Sequence, residues 1–342
     1  MKTNLTKAAV AGLTALVIGN VAAQESVSKP VGYETITIPN GFSYAGLRLH
    51  NAPLLSGATD SIAGADVTLA AGGGASLVPG AVHIFEVNDG DAAGAVTTFT
   101  PADNSDTITL DDDLSANLAG GDSFTIRPAA TLASIFGAAN ESGLDSGFGG
   151  TGGADQVYLL NEAGGFDRYY YDDFSPESFG ASWVNAGTNL DVDPTAVPIV
   201  YTDGIVLLGG GTDGNTFVVS GSVKLTPTAI VHDSGFNYFS SVSPAGATLE
   251  TMFGATAPGL GQGFGGTGDA DQVLIPTATG FDRYYYDQFS PGGFAPSWVN
   301  ADTNLDVDPT TVSFDGASGF VINNDGGLRT TTMGVPSFYT NL

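Results

Sequence analysis

The sequence has no cysteine, two tryptophans, three histidines, and only nine Lys and Arg against 36 Asp and Glu. The missing cysteines exclude a disulfide scaffold, a thiol nucleophile and any cysteine-ligated zinc or iron–sulfur centre. The missing cations, with a formal charge of −27, exclude a nucleic-acid binder built on a basic surface and disfavour anionic lipid. Past the N-terminus no apolar run is long enough to cross a bilayer as a helix. No extended amphipathic helical pattern occurs either. Charged residues are only 13% of the chain, while hydrophobic residues are 42%. The charge therefore reflects scarce cations rather than an acidic tract, and a chain of this length can bury a sizeable core.

Glycine (49), proline (17) and 34 aromatics are abundant, and Asp outnumbers Glu 29 to 7. Asp competes for backbone hydrogen bonds and favours turns, so this composition points to strands joined by tight loops. The N-terminus reads as a secretory signal over residues 1–23. Lys2 and Lys7 supply the positive region, Ala8 to Val17 the short apolar region, and Val21-Ala22-Ala23 a small-residue cleavage site. Cleavage leaves 319 residues with a formal charge of −29. The expected location is secreted: extracellular, cell surface or periplasm.

An internal repeat dominates the rest. Phe166–Pro194 and Phe281–Pro309 are identical at 23 of 29 positions. The likeness extends upstream through GFGGTGGADQV (147–157) and GFGGTGDADQV (263–273), and through TLASIFG (131–137) and TLETMFG (248–254). Downstream, GIVLL (204–208) parallels GFVIN (319–323), and TITIPNGFSY (35–44) weakly parallels AIVHDSGFNY (229–238). The expected fold is all-β. It has two duplicated sandwich-like or barrel-like units with short helices, one over 24–220 and one over 221–342. A small β insertion at about 53–128 interrupts the first, carried by ADVTLA, AVHIFEV, TITL and DSFTIRP. Thr131 and Thr248 are predicted helix N-caps closed by Gly137 and Gly254. Val157–Leu160 and Phe166–Tyr171 are predicted hairpin partners.

The KPVGYETITI, GDSFTIRPAATLASIFG, ADQV, tyrosine-strand and GFVIN segments together make the chain resemble a family of secreted, internally duplicated β-rich proteins found mainly in Verrucomicrobia-type bacteria. The resemblance covers essentially the whole mature chain. It implies export and a modular β architecture, and it carries over no site.

Several motifs bear on chemistry. Gly147–Gly152 and Gly263–Gly268 match GxGxxG, but no βαβ context follows, so they read as loops. The tyrosine strand places Phe166, Arg168, Tyr170 and Asp172 on one face and Asp167, Tyr169 and Tyr171 on the other. Arg168 and Arg283 each stand alone among acids. Each is expected to be buried, pairing with a carboxylate such as Asp155, Asp191 or Asp193 and stacking on tyrosines. The rival reading makes Arg168, Tyr169, Tyr171 and Trp183, with Arg283, Tyr284, Tyr286 and Trp298, a glycan-binding platform. NLDVDP at 189–194 and 304–309 spaces oxygens like the start of a calcium loop, but proline takes the position where an EF-hand needs glycine. Ca²⁺ on Asp191, Asp193, Asp306 and Asp308 is weighed against a solvated Asx-Pro turn. No other cofactor is implied.

Three scattered histidines and no nucleophile elbow or metalloprotease helix argue against an enzyme. A secreted hydrolase using paired carboxylates is the minor alternative. The leading expectation is a secreted, non-enzymatic structural or assembly protein of the cell surface or matrix. Its partner is self-association or, as the alternative, extracellular glycan, with no nucleic acid and no membrane span after signal cleavage.

Overall fold

A computed structural model describes residues 31–161, 163–211, 214–316 and 318–341. The predicted signal segment, residues 1–23, and residues 24–30 lie outside these.

The chain is nearly all β. One six-stranded antiparallel sheet runs, edge to edge, Leu190–Asp191, Ser182–Asn185, Phe166–Asp172, Gln156–Leu160, Gly204–Gly209, Gly41–Gly46. A second six-stranded sheet runs Leu305–Val307, Ser297–Asn300, Gly280–Asp287, Gln272–Thr277, Gly319–Asn324, Gly235–Ser240. Segments that match in sequence occupy the same place in the two orders. The tyrosine hairpin forms as its alternation predicts, with Val157 opposite Tyr169 and Leu160 opposite Phe166.

Each sheet carries a two-stranded ribbon over its inner face. Val31–Ile38 pairs with Asn215–Ser222, and Thr228–His232 pairs with Arg329–Met333. A single-turn helix lies beside each ribbon, Leu132–Phe136 and Leu249–Phe253. Both helices begin as predicted. The Thr131 hydroxyl accepts from the Ser134 amide and the Thr248 hydroxyl from the Thr251 amide, and both form capping boxes. Ribbon, helix and sheet enclose one apolar core through Ile36, Phe217, Phe136, Leu207 and Trp183, continuous with Phe253, Phe314, Phe320 and Trp298. Layers of this kind satisfy the need of each sheet to bury one face.

The insertion builds a four-stranded sheet (Leu55–Ala58, Ser123–Pro128, His83–Val87, Val96–Phe99) and a three-stranded one (Ser61–Ala63, Asp66–Thr68, Thr107–Thr109). Its core is separate and includes Val67, Phe85, Phe99, Phe124 and Ile126. The buried Arg127 ties it to the rest: its guanidinium pairs with Glu86 at 2.6 Å and donates to Asn51 O and Ser222 Oγ. Burial pushes the neighbouring Lys224 ammonium down to about 8.

The two six-stranded sheets meet along a glycine seam. A Cβ on Gly46 would sit 2.5 Å from Ser318 O, and one on Gly319 would sit 2.6 Å from Ala45 O. Glycine is required there because backbone approaches backbone. Contacts across the seam are reciprocal. Tyr44 stacks on Tyr238 with centroids 6.1 Å apart, Tyr44 meets Phe281 at 5.0 Å, and Tyr238 meets Phe166 at 5.0 Å. Matching residues thus touch matching residues, the pattern of a two-fold contact.

Candidate functional site

The tyrosine and tryptophan residues singled out in the sequence are mostly interior. Trp183 and Trp298 are 1% exposed, and Tyr169, Tyr284 and Tyr286 are buried with them. Trp183 Nε1 donates to Gly137 O at 2.9 Å, and Trp298 Nε1 donates to Gly254 O at 3.2 Å. Each indole therefore closes the C-terminal end of the adjacent helix from beneath. Tyr171 is half-buried, with its ring edge against Trp183. Burial turns Trp183, Trp298, Tyr169, Tyr284 and Tyr286 inward, while Tyr171 keeps part of its ring at the surface. Their aromatic area is spent on the core.

The arginines are also placed differently from expectation. Arg168 and Arg283 are exposed, not buried. Arg283 pairs with Asp302 at the surface, and Gly187 stands where Asp302 has its counterpart. Among the described residues no ion pair to Arg168 is found. Alternation assigned both arginines to the right strand face, but that face is open at their row. Two residues on, the same face is closed. Tyr170 and Tyr285 are fully buried there, packed on Ala154 and Val184 and on Ala270 and Val299. The covering element is the glycine-rich loop: a Cβ on Gly147 would lie 3.0 Å from the Tyr170 ring. Burial first, then the Asp172 carboxylate, pushes the Tyr170 phenol up to about 12.

Asp172 and Asp287 end the tyrosine strands and are 0% exposed. Each is a backbone anchor. Asp172 Oδ1 accepts from the Gly149 and Phe174 amides, both at 2.9 Å, and Oδ2 accepts from the Gly150 amide at 2.8 Å. Asp287 holds Gly265, Gly266 and Phe289 in the same way at 2.7–2.9 Å. Hydrogen bonds from fixed amides to a buried carboxylate are strong and directional. The GxGxxG loops are thus clamped to the sheet by an internal carboxylate. Asp155 plays a related part, accepting from the Asp145 and Gly210 amides and from Asn215 Nδ2.

The clamped loops present phenylalanine to solvent. Phe148, Phe174 and Phe179 are 41–77% exposed, and so, at 43–76%, are their counterparts Phe264, Phe289 and Phe294. In each trio the rings touch in series. Phe148 stacks on Phe174 at 5.3 Å and Phe174 meets Phe179 at 5.6 Å; in the second trio both spacings are 5.6 Å. Phe179 and Phe294 sit in the left-handed region, at φ 58° and 55°. Such a backbone is unfavourable for a bulky residue by about 1–2 kcal/mol, and it persists only where surroundings enforce it. The enforcing residues are the buried Ser175 and Ser290. The Phe179 amide donates to Ser175 O and the Phe294 amide to Ser290 O, both at 3.0 Å. Two strained, exposed, matching aromatic patches form the most distinctive surface of the molecule. Sequence reading passed over them because a phenylalanine inside a Gly/Ser/Pro run fits neither strand nor helix periodicity. That misfit, twice repeated in GFGG and FSPxxF, was the available signal.

The DVDP turns hold themselves together. Asp193 Oδ1 accepts from the Thr195 amide and hydroxyl at 2.9 and 2.6 Å, and Asp308 Oδ1 accepts from Thr310 at 2.9 and 2.7 Å. These bonds draw both carboxyls below the usual range. The Asp191 amide donates to Glu177 Oε2. Among the described residues no group of three or more His, Asp or Glu is disposed to hold a metal ion.

A hollow of about 740 Å³ lies between the insertion and the first sheet. Asp111, Asp167 and Asp203 reach it among Val82, Leu159 and Ile199. Burial holds the Asp203 carboxyl up at about 6. No family model matches the chain, and no curated protein or solved structure matches it.

Proposed function

We propose that this is a secreted, non-enzymatic assembly protein whose copies join through the two phenylalanine trios. The observation that carries the reading is the pair of matching, solvent-exposed trios, each fixed by a fully buried aspartate and each including one phenylalanine in a strained backbone. Strain and exposure are both unfavourable in an isolated chain, and contact with another apolar surface offsets the second. A surface present twice on one chain can meet itself on another copy, ring on ring, as Phe148 already meets Phe174.

Magnitudes set the strength of one joint. Covering a partly exposed phenylalanine contributes about 1–2 kcal/mol. Six rings meeting at a joint contribute about 6–12 kcal/mol, comparable to an association cost on the order of 4–15 kcal/mol. A single joint is therefore weak and reversible. Two per chain allow growth beyond a dimer and strengthen the whole by multivalency. The formal charge of −27 opposes approach of like copies, so salt should promote association by screening.

Sedimentation velocity of the mature chain across concentration, at low and at 0.5 M salt, tests this. The parent is expected to form a concentration-dependent series that grows with salt. Phe148→Ser with Phe174→Ser and Phe179→Ser should stop at dimers, and serine at all six positions should leave monomer with an unchanged melting temperature. A parent that stays monomeric at high concentration in both salts, or a six-site variant that associates like the parent, would overturn the reading.

A further inference from the structure

The glycine seam holds a second aromatic feature, distinct from the loop trios and from the assembly they serve. On the first-sheet side, Tyr158 fills the space between Phe42 and Phe166, with ring centroids 5.9 and 6.3 Å away. Leu274 occupies the matching position of the second sheet, between Phe236 and Phe281. The shorter side chain leaves an open hollow of about 200 Å³, lined by Tyr44, Phe236, Tyr238, Leu274, Phe281 and Val321. One repeat is plugged and the other is not.

The walls of this hollow are aromatic and mutually inclined. Tyr44 and Tyr238 lie nearly parallel, 10° apart, while Phe281 is tilted 57° to Tyr44. Phe236, 62% exposed, stands at the mouth. The lining carries no charged side chain, and its only side-chain polar atoms are two phenol oxygens. A sugar would find too few partners for its hydroxyls there. A cation with an apolar skin needs none: it is held by the negative faces of inclined rings. The chain as a whole supplies a strongly negative field, with 36 acids against nine Lys and Arg. Arg283 sits opposite Leu274 in the ladder, and its charge is paired with Asp302.

We propose that the hollow bounded by Tyr44, Phe236, Tyr238 and Phe281 is a binding site for a quaternary ammonium group. The occupant is a small trimethylammonium compound or the same group at the end of a larger molecule. Its selectivity comes from charge acting through aromatic faces, with shape set by the missing ring at Leu274.

The test uses the full mature chain with choline and tetramethylammonium as probes, and 3,3-dimethylbutan-1-ol as the neutral isostere of choline, followed by calorimetry and by aromatic NMR shifts. Both cations are expected to bind, with choline at least tenfold tighter than the neutral alcohol. Leu274→Tyr installs the side chain that the other repeat tolerates at position 158, so it should keep the parental melting temperature while weakening choline at least tenfold. Phe236→Leu keeps apolar bulk without a π face and should also weaken choline. Equal binding of the alcohol and choline would overturn the proposal. So would undiminished binding by a folded Leu274→Tyr, glucose displacing choline, or no binding of either cation by the parent.

Discussion

The two sheets share strand order, hairpin register, helix caps and buried aspartate clamps, yet they differ at the rim. Asp172 and Asp287 hold the same three loop amides, and Trp183 and Trp298 reach the same helix-end carbonyl. By contrast, Tyr158 of the first copy is Leu274 in the second, Asp203 is Ser318, and the Asp302 partner of Arg283 is Gly187 in the first copy. What is held in common includes the packed interior, the exposed phenylalanine trios and the self-bonded DVDP turns. The comparison teaches that the packed interior and the exposed apolar tip match between the copies, while the surroundings of Tyr158, Asp203 and Arg168 do not.

The largest expected effect comes from breaking the shared clamp. Asp172→Ala strands three amides, each costing about 1–3 kcal/mol when left without an acceptor. A melting temperature lower by at least 6 °C is expected, at about 2–4 °C per kcal/mol for a chain of this size. Asp287→Ala should match it closely. A drop of under 2 °C for one and over 6 °C for the other would break the equivalence of the two loops.

A smaller effect isolates a difference between the copies. The Asp203 carboxyl titrates at about 6 in the fold against 3.8 normally. The folded state therefore holds the proton more tightly. The resulting stabilisation is full below about pH 4 and is lost as pH rises through 6. Asp203→Asn should consequently stabilise the protein by about 1–2 kcal/mol at pH 8 and leave it unchanged at pH 4. Thermal melts at the two pH values check this. A variant that gains nothing at pH 8 would contradict it. Ser318, at the matching position, carries no such titration.

The smallest effect concerns the surface arginines. Arg283 and Asp302 are each nearly half exposed, so Arg283→Ala should cost under about 1 kcal/mol. Arg168→Ala should cost less still. A loss of several kcal/mol in denaturant melts at either site would mean that the arginine is held far more tightly than its exposure implies.

Local features were legible in the sequence. Alternation in FDRYYYD gave the hairpin and its two faces, and Thr-x-x-Ser and Thr-x-x-Thr before a glycine gave the caps. The strands of the insertion followed from their β-branched runs. What alternation does not specify is which stretch of a face another element will cover. Tyr170 and Arg168 share a face, yet the folded-back Gly147 loop covers only Tyr170. That single contact decides why one is core and the other is solvent-facing, and why the expected buried arginine is not found. The trios were hidden for a related reason. Their three phenylalanines are separated by up to 31 positions and converge only once Asp172 has pinned one loop against the next.

The account stands most directly on whether those rings meet a second copy. With p-benzoylphenylalanine placed at position 148 of the mature chain, irradiation at assembling concentration and mass spectrometry of the cross-linked peptides give the answer. Mixing heavy- and light-isotope chains separates links between copies from links within one. The account predicts mixed-isotope cross-links ending at a partner trio, in segment 147–150, 174–179, 263–266 or 289–294. Cross-links only within one chain, at concentrations where large species sediment, would contradict it.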